Sequence, residues 1–291
     1  MMWRNSTGDC GRWLVEKIVR MIDGFLRKPR IMAIVNVTDD SFFAGSRTPE
    51  RSAVVSRVER AVADGATIID VGGYSSRPSA ADIPTEEEWR RVDSGLSAVR
   101  EADSHIAMSV DTFRAEIVRR AADKYGELIV NDISAGEADA EMIPTVASLG
   151  LPYIAMHMRG TPQTMQSLTD YEDVVAEVRD YLAARADYMI SQGMRRENII
   201  LDPGFGFAKT VEQNYRLLGG LHEICALGYP VLAGMSRKSM IYRLLGITPE
   251  ESLCGTQVLN WEALRQGASI LRVHDVREAA QTLKMYETFK R

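Results

Sequence analysis

What most constrains this chain is a rhythm. Short runs rich in branched apolar residues return at regular intervals, separated by longer amphipathic segments, the pattern of a parallel sheet wrapped in helices. Eight runs are present: Arg30 to Val35, Thr67 to Val71, Ile106 to Val110, Glu127 to Val130, Pro152 to Met156, Asn198 to Leu201, Pro230 to Ala233 and Ser269 to Val273. The mean step from one to the next is about 34 residues, close to the 30 or more of a strand–helix–strand unit. Between the first two runs, Val54, Val55, Val58, Ala61 and Val62 recur at helical spacing within a segment from Pro49 to Gly65, where glycine suits the C-terminal cap. Thr85 with Glu88 reads as a capping box opening the next helix. Tyr171 to Ser191 is the longest segment, with Val174, Val175, Val178, Leu182 and Ile190 as its stripe. Eight such units over about 250 residues predict a (β/α)8 TIM barrel. An open doubly wound sheet is the competing architecture, but no GxGxxG follows the first run.

Composition narrows the function classes. The 291 residues are 45% apolar and 26% charged with a formal net charge of −5, an ordinary globular balance. No nucleic-acid partner is expected, because a phosphate backbone calls for a basic surface; any anion site must be local. Cys10, Cys225 and Cys254 fit neither a disulfide framework nor a zinc pattern and read as reduced thiols. Glu16, Lys17, Arg20 and Asp23 interrupt the stretch from Trp13 to Phe25, so it carries no signal-peptide core, and no run approaches the roughly 20 apolar residues of a membrane span. The expectation is a cytoplasmic protein with no membrane partner.

In a barrel of this kind the chemistry sits at the C-terminal ends of the strands. The residues there are Asn36; Ser76 and Arg77 beyond Asp70, Gly72 and Gly73; Asp111; Asn131 with Asp132; His157; Asp202; Ser236 to Ser239; and Arg272 with His274. Helix caps and turns explain any single Asp or Asn in such a place. All eight ends being polar points instead to a site. Asp111, Asn131, Asp202 and Lys238 offer acceptors, an amide and a cation, the set that a flat heterocycle with donors and acceptors on its edges requires. Arg77, Arg272 and His274 are donors suited to phosphate, and Asn36 adds an oxygen ligand for magnesium bridging phosphates. The inferred ligand is a heterocycle joined to a phosphate-bearing group.

Two loops read either as ordinary connections or as closing segments over a substrate: 36–46, with adjacent Phe42 and Phe43, and 72–83, rich in Gly, Ser and Pro. The turn from Asp202 to Phe207 alternates two glycines with two phenylalanines, backbone suited to close approach, and Phe207 could stack on a ring. His105 and His222 read as surface residues. His157 reads as an internal hydrogen-bonding residue, since no Cys or His stands at ligand spacing.

These motifs resemble the dihydropteroate synthases of folate biosynthesis, within the pterin-binding barrels. The matching stretches are IMAIVNVTDDSF, IIDVGGYSSRP, SVDT, NDIS, MHMRGTPQTMQ, LDPGFGFAKT, GMSRKSMI and RVHDV, in family order from about Arg30 to about Tyr286. The resemblance implies a pterin pocket of Asp111, Asn131, Met156, Asp202, Phe207 and Lys238. It implies a diphosphate site of Asn36, Arg77, Arg272 and His274, with Asn36 beside Mg2+. It further implies a p-aminobenzoate site of Ser76, Pro78, Ser239 and Phe207, with Asp40 and Phe42 on the first loop. The implied reaction joins 6-hydroxymethyl-7,8-dihydropterin diphosphate to p-aminobenzoate, giving 7,8-dihydropteroate and pyrophosphate, in a homodimer. Asp39, Tyr74, Ala208 and Tyr242 depart from the family's usual proline, glutamate and two glycines. Residues 1–28 have no counterpart and are expected to form a helical extension to the barrel domain, 29–291. Two alternatives remain: a barrel passing methyl from a reduced folate to a corrinoid protein, and a paralogue that binds pterin without turnover.

Overall fold

The computed structural model describes residues 28–37, 47–75 and 82–290. The expected strands form: β1 (Arg30–Asn36), β2 (Ile68–Gly72), β3 (Ala107–Asp111), β4 (Ile129–Asp132), β5 (Tyr153–Met156), β6 (Ile199–Asp202), β7 (Leu232–Ala233) and β8 (Ile270–Val273). They make one parallel sheet in the order β6-β5-β4-β3-β2-β1-β8-β7. A lone parallel bridge from Leu201 to Val231 brings β6 to β7 and closes the ring. An open doubly wound sheet would leave those strands as separated edges, so the barrel is the architecture.

Side chains alternate across a strand, and here both faces are buried, which is why the runs read as nearly continuous apolar sequence. Met32, Ile68, Ile129, Ile154, Ile200, Leu232 and Ile270, with Ala107 packed against them, give one residue per strand to a plug inside the ring. The other parity, including Ile31, Ile69, Met108, Val130, Tyr153, Leu201 and Leu271, packs outward against the helices.

The helices are α1 (Arg47–Ala63), α2 (Thr85–Ala102), α3 (Ala115–Tyr125), α4 (Met142–Leu149), α5 (Val174–Ser191), α6 (Val211–Gly219), α7 (Leu221–Cys225), α8 (Ser239–Leu245), α9 (Leu253–Gln266) and α10 (Val276–Phe289). Among the described residues no helix is long and apolar enough to cross a membrane. Two local expectations are corrected. The Thr85/Glu88 capping box does not form: Pro84 is the N-cap without a side-chain bond. Glu88 is instead fully buried, accepting from Thr112 Oγ1 at 2.6 Å and Arg114 Nη1 at 2.8 Å. A capping box does form at α6, between Thr210 and Gln213. In α5 the buried stripe is Val174, Val178, Leu182, Ala186 and Met189, while Ile190 is exposed.

The helix expected within 1–28 falls, apart from Lys28, outside the described residues. So do Asp39, Asp40, Phe42, Ser76, Arg77 and Pro78.

Candidate active site

Two residues beyond the plug, on the same inward face, apolar sequence gives way to polar groups on five of the eight strands, while β1, β5 and β7 carry Ile34, Met156 and Gly234 there. Asp70, Ser109, Asn131, Met156, Asp202 and Arg272 follow Ile68, Ala107, Ile129, Ile154, Ile200 and Ile270 by two. Two further on stand Asn36, Gly72, Asp111, Ser236 and His274 at the mouth. The plug therefore serves as the floor on which the polar groups are set.

Arg272 organises that tier. Its Nε donates to Asp70 Oδ2 at 2.7 Å and its Nη2 to Asp111 Oδ2 at 2.6 Å. Asn131 Nδ2 donates to the same Asp70 oxygen at 3.1 Å. A guanidinium carries five N–H groups, so Arg272 has donors beyond these two. Asp70 is fully buried, and its Oδ1 and the Ser109 hydroxyl have no hydrogen-bond partner among the described residues.

On the opposite wall Asp202 Oδ1 accepts from the Gly204 amide at 2.8 Å. Lys238 Nζ donates to the Phe205 carbonyl at 2.5 Å and stands 4.6 Å from the centre of the Phe207 ring. Burial pushes Asp202 up from the usual carboxylate range, with Lys238 the largest counterweight. Burial pulls Lys238 down to about 8, with Asp202 opposing. The turn that follows Asp202 and carries Phe205 and Phe207 has left-handed backbone at Gly204 (φ +69°), Gly206 (+82°) and Ala208 (+50°). A Cβ on Gly204 would lie 2.0 Å from the His157 carbonyl oxygen, so no other residue fits there. Ala208 adopts the conformation that glycine favours at a cost of about 1–2 kcal/mol, whereas Tyr242 sits inside α8, where glycine offers nothing.

Asn36, Gly72 and Asp111 are neighbours in register on β1, β2 and β3. A Cβ on Gly72 would come within 3.3 Å of Asn36 Oδ1 and 3.5 Å of Asp111 Cβ, so the glycine leaves a notch between an amide oxygen and a carboxylate. Across the mouth, Ser236 Oγ is 3.0 Å from His274 Nδ1 and accepts from the His274 amide at 3.2 Å. Arg237 turns away to a paired interaction with Asp275, at 2.9 and 2.6 Å, leaving Lys238 to face inward. Ser239 opens α8, half-buried.

Met156, Met158, Ile133, Met165 and Ala208 form an apolar wall, with Phe113 and Phe207 against it. Beside it lies a cavity of about 680 Å3 bounded by Tyr74, Asp82, Phe113, Arg114, Met158 and Gln163. Tyr74 meets Phe113 edge-on at 5.0 Å, with Arg114 5.6 Å from the Tyr74 ring centre. Arg114 also donates to Asp82 (3.0 Å), to the Ile83 carbonyl (2.8 Å) and to Glu88. The departure at Tyr74 is thus absorbed by aromatic packing.

Two polar residues at the strand ends, Asp132 and His157, lie outside the site. Asp132 accepts from Tyr153 Oη at 2.6 Å and from Ser134 and Gly136, and His157 is buried against Lys209. Both have the outward parity. His157 is internal, as expected, and no cluster of three metal-ligating side chains occurs among the described residues. Sequence reasoning passed over Asp70 as a site residue, although its spacing from Ile68 marks it. It also passed over Lys209, which no spacing marks.

Comparison with known proteins shows the family. A family described as pterin binding enzyme matches residues 32–274. Over 263 residues the chain is 42% identical to the dihydropteroate synthase of Haemophilus influenzae, covering 90% of this chain and 94% of that one. The structure of Xanthomonas albilineans dihydropteroate synthase with 4-aminobenzoic acid matches with a TM-score of 0.83 and 38% identity, over 91% of this chain and 94% of that one. The same enzyme in complex with 7,8-dihydropteroate matches at 0.81 and 36%, over 91% and 95%.

Proposed function

This chain belongs to the pterin-binding enzymes, among the dihydropteroate synthases of folate synthesis, and on that premise we propose how its own residues carry the condensation of 6-hydroxymethyl-7,8-dihydropterin diphosphate with p-aminobenzoate. The observation that carries the reading is the inward tier in which Asp111, Asn131, Asp202, Lys238 and Arg272 converge above the plug. Asp202 takes the amidine-like edge of the pterin with both carboxylate oxygens, and Asn131 and Asp111 take the opposite edge. Met156 and Phe207 supply the apolar faces, and Lys238 donates to a ring acceptor.

In the reaction the exocyclic C–O bond to diphosphate breaks, a C–N bond to the arylamine forms, and the amine loses a proton. Positive charge develops on the dihydropterin as diphosphate leaves. Asp111 and Asp202 stabilise it, and Arg272, His274 and Arg77 stabilise the departing anion. No side-chain nucleophile is required. Ser76, Pro78, Ser239, Asp40 and Phe42 shape the p-aminobenzoate site.

Magnesium fits the residues present: Asn36 Oδ1 is a hard oxygen donor facing the notch at Gly72. Asn36 would hold Mg2+ together with the diphosphate of the substrate, since a lone amide oxygen is too few ligands to hold the ion by itself. When bound, it neutralises charge on the leaving group.

Identity to synthases over 90% of the chain displaces the methyl-transfer alternative. A homodimer is supported by exposed Leu244, Leu245, Val258, Met285 and Phe289 on α8, α9 and α10. The free thiols of Cys225 and Cys254 suit a cytoplasmic setting. The deciding experiment measures pyrophosphate release with magnesium and the dihydropterin diphosphate, with and without p-aminobenzoate, identifying the pterin product by mass. Formation of dihydropteroate supports the reading. Pterin binding with no release in either condition means a binding paralogue.

A further inference from the structure

Lys209 takes no part in the chemistry described so far, yet it is a buried amine with three polar partners around it. Its Nζ lies 3.1 Å from the Gly204 carbonyl, 3.0 Å from the Phe207 carbonyl and 3.0 Å from His157 Nδ1. Burial pulls Lys209 down to about 7, with Asp202 opposing. In its ammonium form it has three N–H donors and no acceptor, so the set is then complete and His157 presents a bare Nδ1 with its proton on Nε2.

Both carbonyls belong to the turn that bears Asp202 and Phe207. That turn has three left-handed residues within five positions; two are glycines, which take this conformation freely, and Ala208 takes it against its local preference. Asn214 adds a second anchor, its Oδ1 accepting from the Gly206 amide at 2.6 Å and its Nδ2 donating to the Lys209 carbonyl at 3.3 Å. On the pocket side, Lys238 binds the intervening Phe205 carbonyl. The turn is therefore suspended between two lysines, one facing the ligand and one behind it.

We infer that Lys209 is a positioning residue for pterin recognition, its ammonium fixing the Gly204 and Phe207 carbonyls so that Asp202 and the Phe207 ring present the geometry the pterin requires. The inference rests on reading this pocket as the pterin site, and wild-type affinity for 6-hydroxymethyl-7,8-dihydropterin tests that reading separately. If the wild-type chain fails to bind the pterin, the pocket reading falls.

Given wild-type binding, Lys209→Met keeps the length and apolar stem of the side chain while removing the donors. It should retain the native far-ultraviolet spectrum and weaken pterin affinity by calorimetry on the order of tenfold or more, the scale of losing hydrogen bonds to a charged group. Lys209→Arg, which keeps the cation, should recover part of that loss. A purely structural role would lower the melting temperature and leave the affinity of the folded protein untouched. A folded Lys209→Met with wild-type affinity overturns the inference. The tie can also be read in the wild-type chain, whatever the variants do. Nitrogen-15 histidine spectra at pH 6, where Lys209 is protonated and His157 neutral, should show His157 as the Nε2–H form with Nδ1 accepting, and an Nδ1–H form overturns the inference, since Lys209 could not then donate to it.

Discussion

The Arg272 guanidinium spans from β8 to Asp111 on β3, 2.6 Å from Nη2 to Oδ2 between residues 161 positions apart in sequence. The same side chain holds the fully buried Asp70 on β2 at 2.7 Å. One cation therefore bridges one oxygen of each of two acids that would otherwise face each other in the barrel.

Arg272→Met removes that cation and leaves the two carboxylates uncompensated. Breaking a buried pair from one side costs about 3–5 kcal/mol, and turnover should fall with it. Urea unfolding of Arg272→Met should show the loss, and the double variant with Asp70→Asn should recover part of it. Equal stability of the two variants would mean that Asp70 and Arg272 are not coupled.

Lys238 should impose an alkaline limit on pterin binding. Burial holds its pKa down to about 8, so the cation fades above that pH rather than above 10. Dihydropterin affinity, followed by calorimetry from pH 7 to 9.5, should bend downward near 8. Lys238→Met should bind weakly at every pH and lack the bend. A bend that persists in that variant assigns it to another group.

Gly72→Ala addresses the notch between Asn36 and Asp111. Its Cβ would meet Asn36 Oδ1 at 3.3 Å, so the amide must give by a few tenths of an ångström. The fold should survive with a change within about 1 kcal/mol, while the magnesium concentration giving half-maximal pyrophosphate release should rise. An unchanged magnesium dependence would separate Asn36 from the metal.

The buried His157 should make the fold sensitive to acid. Burial, with repulsion from Lys209 and Arg159, lowers its pKa to about 2 from an ordinary 6.5. Between those values the unfolded chain takes up a proton that the folded chain refuses. Stability from this group is therefore complete above about pH 6.5 and declines as the pH falls below it, by about 1.4 kcal/mol per unit. Urea titrations at pH 7, 6 and 5 should show a shallower acid slope for His157→Gln than for the wild-type chain. Parallel slopes would remove His157 as the cause.

The barrel is legible in the sequence because a parallel strand covered on both faces must be apolar throughout, and the eight runs begin within two residues of the observed strands. Most of the described site is legible for a related reason: polar residues just past such runs have few structural uses in common. What the reading lacked was parity. Polarity after a strand does not separate Asp132, which points outward to Tyr153, from the inward groups, and Asp70 is embedded one residue before the end of its run. Glu88 was misassigned because its spacing from Thr85 suits a cap, whereas the tertiary demand of Arg114 and Thr112 governs it. Lys209 was invisible because two of its three partners are backbone carbonyls of a turn whose shape depends on left-handed residues.

The ring has a clasp. β1 and β2 share five registered pairs, but β6 meets β7 through the single Leu201–Val231 bridge, beside a hydrogen bond from the Leu201 amide to the Pro230 carbonyl. Asp202 is the next residue on one side, and Lys238 follows β7 on the other. Breathing at the clasp would change the gap between these two charged groups while leaving the plug below and the Arg272 anchorage opposite undisturbed. The barrel is thus least tightly laced where its acid and its amine must face the same ligand, and a pterin gripping both would itself fasten the hoop.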